Sequence, residues 1–125
     1  MALIRCSSGG TSNLCKIGTF SVTSDSQTIT IDDVGFKPKY IAVLFQGANG
    51  TPTSAVTGAL RCIYDERVST SYCHRGMYGS SQTVNSVALT SNVSRISEVN
   101  DDGFKFYNGG AGSNFKGTYY YFAIG

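Results

Sequence analysis

The sequence predicts an all-β protein, an antiparallel β-sandwich of about eight strands, on three observations. No window keeps apolar residues at the i, i+3, i+4, i+7 spacing of an amphipathic helix. Several short stretches alternate apolar with polar residues or run continuously apolar, and they are rich in Val, Ile, Tyr, Phe and Thr, which suit a pleated, half-buried surface. Turn sequences rich in Gly, Asn and Asp separate most of them. At 125 residues the chain has the length of one domain that buries a core without metal or disulfide support.

Residues 1–16 precede the first strand signal and contain the Gly- and Ser-rich stretch CSSGGTSNLC, so they read as an N-terminal attachment arm, with the sandwich domain over 17–125. The first alternation is at 19–22, with Phe20 and Val22 on one face, and the second at 28–31, with Ile29 and Ile31 on one face. YIAVLF, 40–45, is apolar on both faces and reads as a central strand covered on both sides. Further strands are expected at 59–64, 83–90 and 93–99. Residues 104–107 lie between Asp101-Asp102-Gly103 and Asn108-Gly109-Gly110, both of which favour tight turns. In the terminal TYYYFAIG, alternation puts Tyr119, Tyr121 and Ala123 on one face and Tyr120, Phe122 and Ile124 on the other. Both faces of so apolar a strand need cover, one from the core and the other from a neighbouring subunit. The segments 47–58 and 109–117 read as long polar loops, which carry recognition when a rigid scaffold holds them.

Ten Lys+Arg against eight Asp+Glu give a net charge of +2, with the basic residues scattered singly, so no footprint for nucleic acid or an anionic membrane is present. Charged residues are 14% of the chain against roughly 25% in ordinary soluble domains, replaced by Ser, Thr, Asn and Gly. Such surfaces suit proteins that work outside cells or pack into assemblies. The only apolar stretch at the start, 2–4, is shorter than the core of a signal peptide, and no run approaches the length of a membrane span. Synthesis in the cytoplasm without standard secretion is the expectation.

Cys6, Cys15, Cys62 and Cys73 permit two disulfides or none. Their gaps are wider than the two to four or so residues that separate paired zinc ligands, and His74 adds a further donor only at poor spacing, so no metal is expected. Asn100, Asp101 and Asp102 lack the spacing and distal Glu of an EF-hand and read as a hairpin turn instead.

One histidine, no tryptophan and no G-x-S-x-G, H-E-x-x-H or phosphate-loop string leave no catalytic template, so no enzymatic activity and no cofactor are expected. Asp65 and Glu66 are adjacent, and neighbours on a strand point to opposite faces, which is wrong for a paired-carboxylate glycosidase. The stretch RCIYDERVSTSYCHRGMY, 61–78, instead gathers aromatic, carboxylate and guanidinium groups. Sugar sites stack an aromatic face on the ring and bond its hydroxyls with such groups, so Tyr64, Asp65, Arg67, Tyr72, His74 and Arg75 are the candidate glycan ligands. The plain alternative is a polar loop joining two strands.

Two segments resemble known proteins. TITIDDVGFKPKYIAVLF, 28–45, resembles the strand, Gly-Phe-x-Pro, apolar-strand segment of small β-sandwich domains in bacteriophage tail fibres and similar virion proteins. DDGFKFYNGGAGSNFKGTYYYFAIG, 101–125, is similar in its aromatic-x-Ala-Ile-Gly close to tail-fibre C-terminal domains and to the H-type lectins, sandwiches that bind sugars as trimers. Those lectins usually have Trp where Tyr121 stands, which carries Tyr121 over as a candidate ligand position. The resemblance implies a phage or prophage virion adhesin for host surface glycans, homotrimeric, beside other virion proteins, made in the host cytoplasm and acting outside. The rival expectation is a capsid or tail decoration protein anchored through its N-terminal arm.

Overall fold

The computed structural model describes residues 4–8, 11–24, 26–46, 57–68, 71–78, 84–89, 94–109 and 115–125. They form strands β1 (Ile4–Ser8), β2 (Thr11–Val22), β3 (Gln27–Ile31), β4 (Tyr40–Gln46), β5 (Thr57–Asp65), β6 (Ser71–Tyr78), β7 (Val84–Leu89), β8 (Ser94–Asn100), β9 (Gly103–Asn108) and β10 (Gly117–Ile124). All pairings are antiparallel, in a seven-stranded sheet of order β1-β2-β10-β4-β5-β6-β7 and a three-stranded sheet of order β3-β9-β8. The fold is an all-β antiparallel sandwich. Among the described residues it has ten strands, because Ile4–Ser8 and Ser71–Tyr78 also pair; Thr11–Val22, in addition, starts eight residues before its alternation does. Residues 4–8 and 11–16, read from the sequence as an arm, are therefore part of the large sheet.

Alternation decides the core. The inner face of the large sheet carries Phe20 and Val22 from β2, Tyr119, Tyr121 and Ala123 from β10, Ile41, Val43 and Phe45 from β4, and Leu60 and Cys62 from β5. The small sheet meets them with Ile31, Ile96, Phe104 and Phe106. Tyr119 is central: its ring stacks on Phe45 at 4.4 Å and 12° and lies within 5.4 Å of Phe20 and Phe106. Such pairs each add roughly 0.5–1.5 kcal/mol beyond the burial of area. Its hydroxyl donates to the Phe115 carbonyl at 2.8 Å, so no polar atom is stranded there.

Two glycines are required by close approach. A Cβ on Gly103 would sit 1.9 Å from the Ile31 carbonyl oxygen, where β9 turns in beside β3 after the Asp101-Asp102 hairpin turn. Gly18 pairs with Tyr121 in the β2–β10 register, and the Tyr121 ring lies over it, 2.3 Å from where a Cβ would be. Lys16, also on the inner face of β2, is buried and donates to the Asp33 carbonyl with the Asp33 carboxylate 3.6 Å away, which ties the segment after β3 to the large sheet. Cys15 is disulfide-bonded, whereas Cys62 is a buried thiol.

Candidate functional site

The stretch 61–78 is a β-hairpin rather than a loop: its two arms are the end of β5 and all of β6, joined across the turn that starts at Asp65. The turn is built by local chemistry. Asp65 Oδ1 accepts from the Arg67 backbone N–H at 3.0 Å, an Asx-type turn, and the Val68 N–H donates to the Asp65 carbonyl at 3.0 Å. The Arg67 guanidinium then closes on the same carboxylate with Nε to Oδ1 at 2.9 Å and an Nη to Oδ2 at 2.6 Å. Those side-chain hydrogen bonds, reinforced by the backbone N–H, hold the Asp65 carboxyl down at about 2, and the carboxylate pushes the Arg67 guanidinium further up. Asp65 and Arg67 thus satisfy one another, and their first role is to shape the turn. Glu66 anchors it to the sheet by donating its N–H to the Lys39 carbonyl at 2.9 Å.

The other nominated residues divide between faces. Tyr64 is half-buried and packs against the core. Tyr72 takes the register position opposite Ile63, His74 that opposite Arg61, and Arg75 that opposite the buried Leu60, so Arg75 is on the other face of β6 from Tyr72 and His74. Tyr121 is corrected outright: it is 4% exposed, edge-on to Phe104 at 5.3 Å, and belongs to the core. Its burial, with the Asp33 carboxylate adding to it, pushes its hydroxyl up to about 12. A buried tyrosine under the small sheet reaches no surface ligand.

The register brings together a surface that the sequence reading did not assemble. On the outer face of the large sheet, Ile17, Phe122, Ala42, Ile63 and Tyr72 occupy one row across β2, β10, β4, β5 and β6. Thr19, Tyr120, Leu44, Arg61 and His74 occupy the next. Tyr120 is 57% exposed, Ile17 49% and Leu44 45%. YIAVLF is central, fourth in a sheet of seven; its inner face is buried under the small sheet, while on its outer face Leu44 is exposed and, among the described residues, no second sheet packs there. Over β2, β10 and β4 the outer face exposes Ile17, Tyr120 and Leu44, with Thr19 among them. It becomes polar toward β5, where Arg61 is exposed and Asp65 pairs with Tyr40 in register. Tyr120 and Arg61 join the candidate residues only through the structure. The signal for Tyr120 was present, since alternation in TYYYFAI sets it opposite Tyr121; Arg61 emerges only from cross-strand register.

Among the described residues no three His, Cys, Asp or Glu side chains gather as a metal site, and no helix is long and apolar enough to cross a membrane. Scans against family models, curated proteins and solved structures match nothing.

Proposed function

We propose that this protein is a non-catalytic adhesin of the virion type that binds a host surface glycan and acts as a homotrimer. The observation that carries the reading is the outer face of the large sheet, where an exposed apolar half adjoins a half bearing Arg61, Asp65 and the register positions of Tyr72 and His74. The apolar half, with Ile17, Leu44 and Tyr120, suits burial against further copies, since a contiguous apolar patch of this kind marks an association surface. The polar half offers a guanidinium and hydroxyl-bonding groups beside aromatic positions, the combination that a pyranose ring uses. One such site is weak; three on one particle raise effective affinity without any new contact. The viral assignment comes from the resemblance of 28–45 and 101–125 to tail-fibre sandwiches.

The second reading is a structural subunit of a virion. The exposed apolar half favours it, because that surface serves assembly whether or not a glycan binds. An arm inserted between neighbours no longer supports it, since residues 4–8 and 11–16 are strands of the sheet.

The test is binding of fluorescently tagged protein to a panel of bacterial cells and extracted wall polysaccharides, with free sugars as competitors. The adhesin reading expects sugar-displaceable binding that Arg61→Ala weakens at least tenfold while the unfolding midpoint stays unchanged. No binding to any surface by folded, oligomeric protein overturns it and leaves the structural subunit.

A further inference from the structure

The geometry points to a cross-strand disulfide between Cys62 and Cys73, a covalent staple across the β5–β6 hairpin. The two residues are direct partners in an unbroken register. Which kind of pair they form follows from the backbone. In an antiparallel ladder a residue's N–H and C=O point to the same neighbouring strand, and the side alternates along the chain. The Glu66 N–H donates to the Lys39 carbonyl on the β4 side, so, counting back through the regular β4–β5 register, Tyr64 and Cys62 also turn their backbone groups to β4. The far flank of β10 agrees. The Gly125 N–H donates to the Leu14 carbonyl on the β2 side, so Ile124 and Tyr40 turn toward one another, and Ile41 and Val43 turn toward β5.

Cys62 therefore turns no backbone group to β6, and Cys62–Cys73 is a non-hydrogen-bonded pair. Such pairs bring Cα atoms to about 4.5 Å with their side-chain positions close, inside the window of about 4.4–6.8 Å that a disulfide spans. Cys73 has no other cysteine in reach by backbone placement. Cys15, already disulfide-bonded, is on β2, four strand positions from β6 and so about 19 Å away. Cys62 is wholly buried, so the exchange belongs to the folding chain, before the sandwich closes over it.

The reaction needs an oxidant of the low-molecular-weight disulfide class. One thiolate attacks it, giving a mixed disulfide and releasing one small thiol; the second thiolate displaces the other small thiol. Two protein thiols lose two electrons and two protons, and the small disulfide becomes two thiols. The inference does not depend on the glycan reading, although the staple would hold in place the hairpin on which that reading rests.

The test refolds reduced protein in oxidised glutathione, quenches with acid, alkylates remaining thiols and digests with trypsin. Cleavage after Arg61, Arg67 and Arg75 separates Cys62 and Cys73 into peptides 62–67 and 68–75, while Cys6 and Cys15 share peptide 6–16. The expected result is a 62–67/68–75 conjugate as the main product, and its loss, with peptide 62–67 recovered alkylated, in Cys73→Ala. Recovery of both wild-type peptides alkylated, or linkage of either to 6–16 in protein with native circular dichroism, overturns the inference. Denaturant midpoints of oxidised wild type and oxidised Cys73→Ala should also differ, with the wild type higher; equal midpoints count against a staple in the native fold.

Discussion

Tyr121→Ala separates a core tyrosine from a surface ligand more sharply than any other single substitution. Tyr121 is 4% exposed, edge-on to Phe104 at 5.3 Å and 6.4 Å from Phe20. Truncating a buried aromatic costs about 3–5 kcal/mol, and the size depends on how far neighbours collapse into the space. Here the facing residue on β2 is Gly18, which has no side chain to move into the gap, so the cost belongs at the upper end, about 4–5 kcal/mol. Against a total stability of roughly 5–15 kcal/mol and a urea slope of about 2 kcal/mol/M, the midpoint should fall by about 2 M. The assay is equilibrium urea unfolding followed by circular dichroism. A loss below about 1 kcal/mol refutes the buried placement. Tyr121→Phe keeps the ring and adds a pH readout. Because the folded hydroxyl is held up at about 12, above its ordinary 10, the unfolded chain ionises first; the stability tied to the neutral hydroxyl is complete below pH 10 and drains away as pH rises toward 12. The difference in stability between wild type and Tyr121→Phe should shift across that window and stay flat below it.

Four further outcomes are expected. On the proposed trimer, Leu44→Lys or Tyr120→Lys puts a charge into the exposed apolar patch of the outer face, and light scattering after size exclusion should show an oligomeric wild type and a monomeric, folded variant; a monomeric wild type refutes the trimer, and an unchanged variant oligomer places the interface elsewhere. Arg67→Ala removes the side-chain hydrogen bonds that are the main cause of the Asp65 carboxyl's being held at about 2 but keeps the backbone N–H of the turn, so its NMR titration should rise clearly toward, without reaching, the ordinary 3.8; titration still near 2 would mean that the backbone N–H suffices. Gly103→Ala forces a Cβ to 1.9 Å from the Ile31 carbonyl oxygen, a backbone atom that cannot swing aside as a side chain can, and should cost about 3 kcal/mol by denaturant unfolding; a silent substitution would contradict the close approach of β9 to β3. Tyr119→Phe removes the 2.8 Å hydrogen bond from the buried hydroxyl to the Phe115 carbonyl and should cost about 0.5–1.5 kcal/mol by denaturant unfolding while preserving the aromatic stack.

Strand formation was legible where side chains alternate. Residues 28–31, 40–45, 104–107 and 119–124 all lie within strands, and the Asp101-Asp102-Gly103 turn joins β8 to β9. Cys6 and Cys15 lie in strands that alternation did not reveal, because IRCSS and TSNLCK mix small and polar residues, and pairing along the edge of an existing sheet needs backbone groups rather than an apolar pattern. The same holds for SYCHRGMY, whose aromatic and basic residues suggested a recognition loop and which pairs along its whole length with β5.

For the candidate site, composition pointed to the hairpin and could go no further. Asp65 and Arg67 carry the right groups for a sugar, yet two residues apart in a turn they bond to one another. Tyr121 was nominated by its position in a motif, while the exposed ring of the terminal strand belongs to Tyr120.

What this sequence determines by itself is parity and class: the side-chain period of two makes the chain all-β and sorts Tyr119, Tyr121 and Ala123 from Tyr120, Phe122 and Ile124. Parity says which residues share a face and is silent on whether that face is inside. That was decided by tertiary packing, when the three-stranded sheet closed over one side of the seven-stranded sheet and, among the described residues, left Ile17, Leu44 and Tyr120 exposed on the other. Strand order and register then placed Ile17, Leu44, Tyr120 and Arg61, scattered over about a hundred residues of sequence, on one surface, and set Cys62 opposite Cys73. These are long-range pairings between distant segments, and a local pattern contains no term for them.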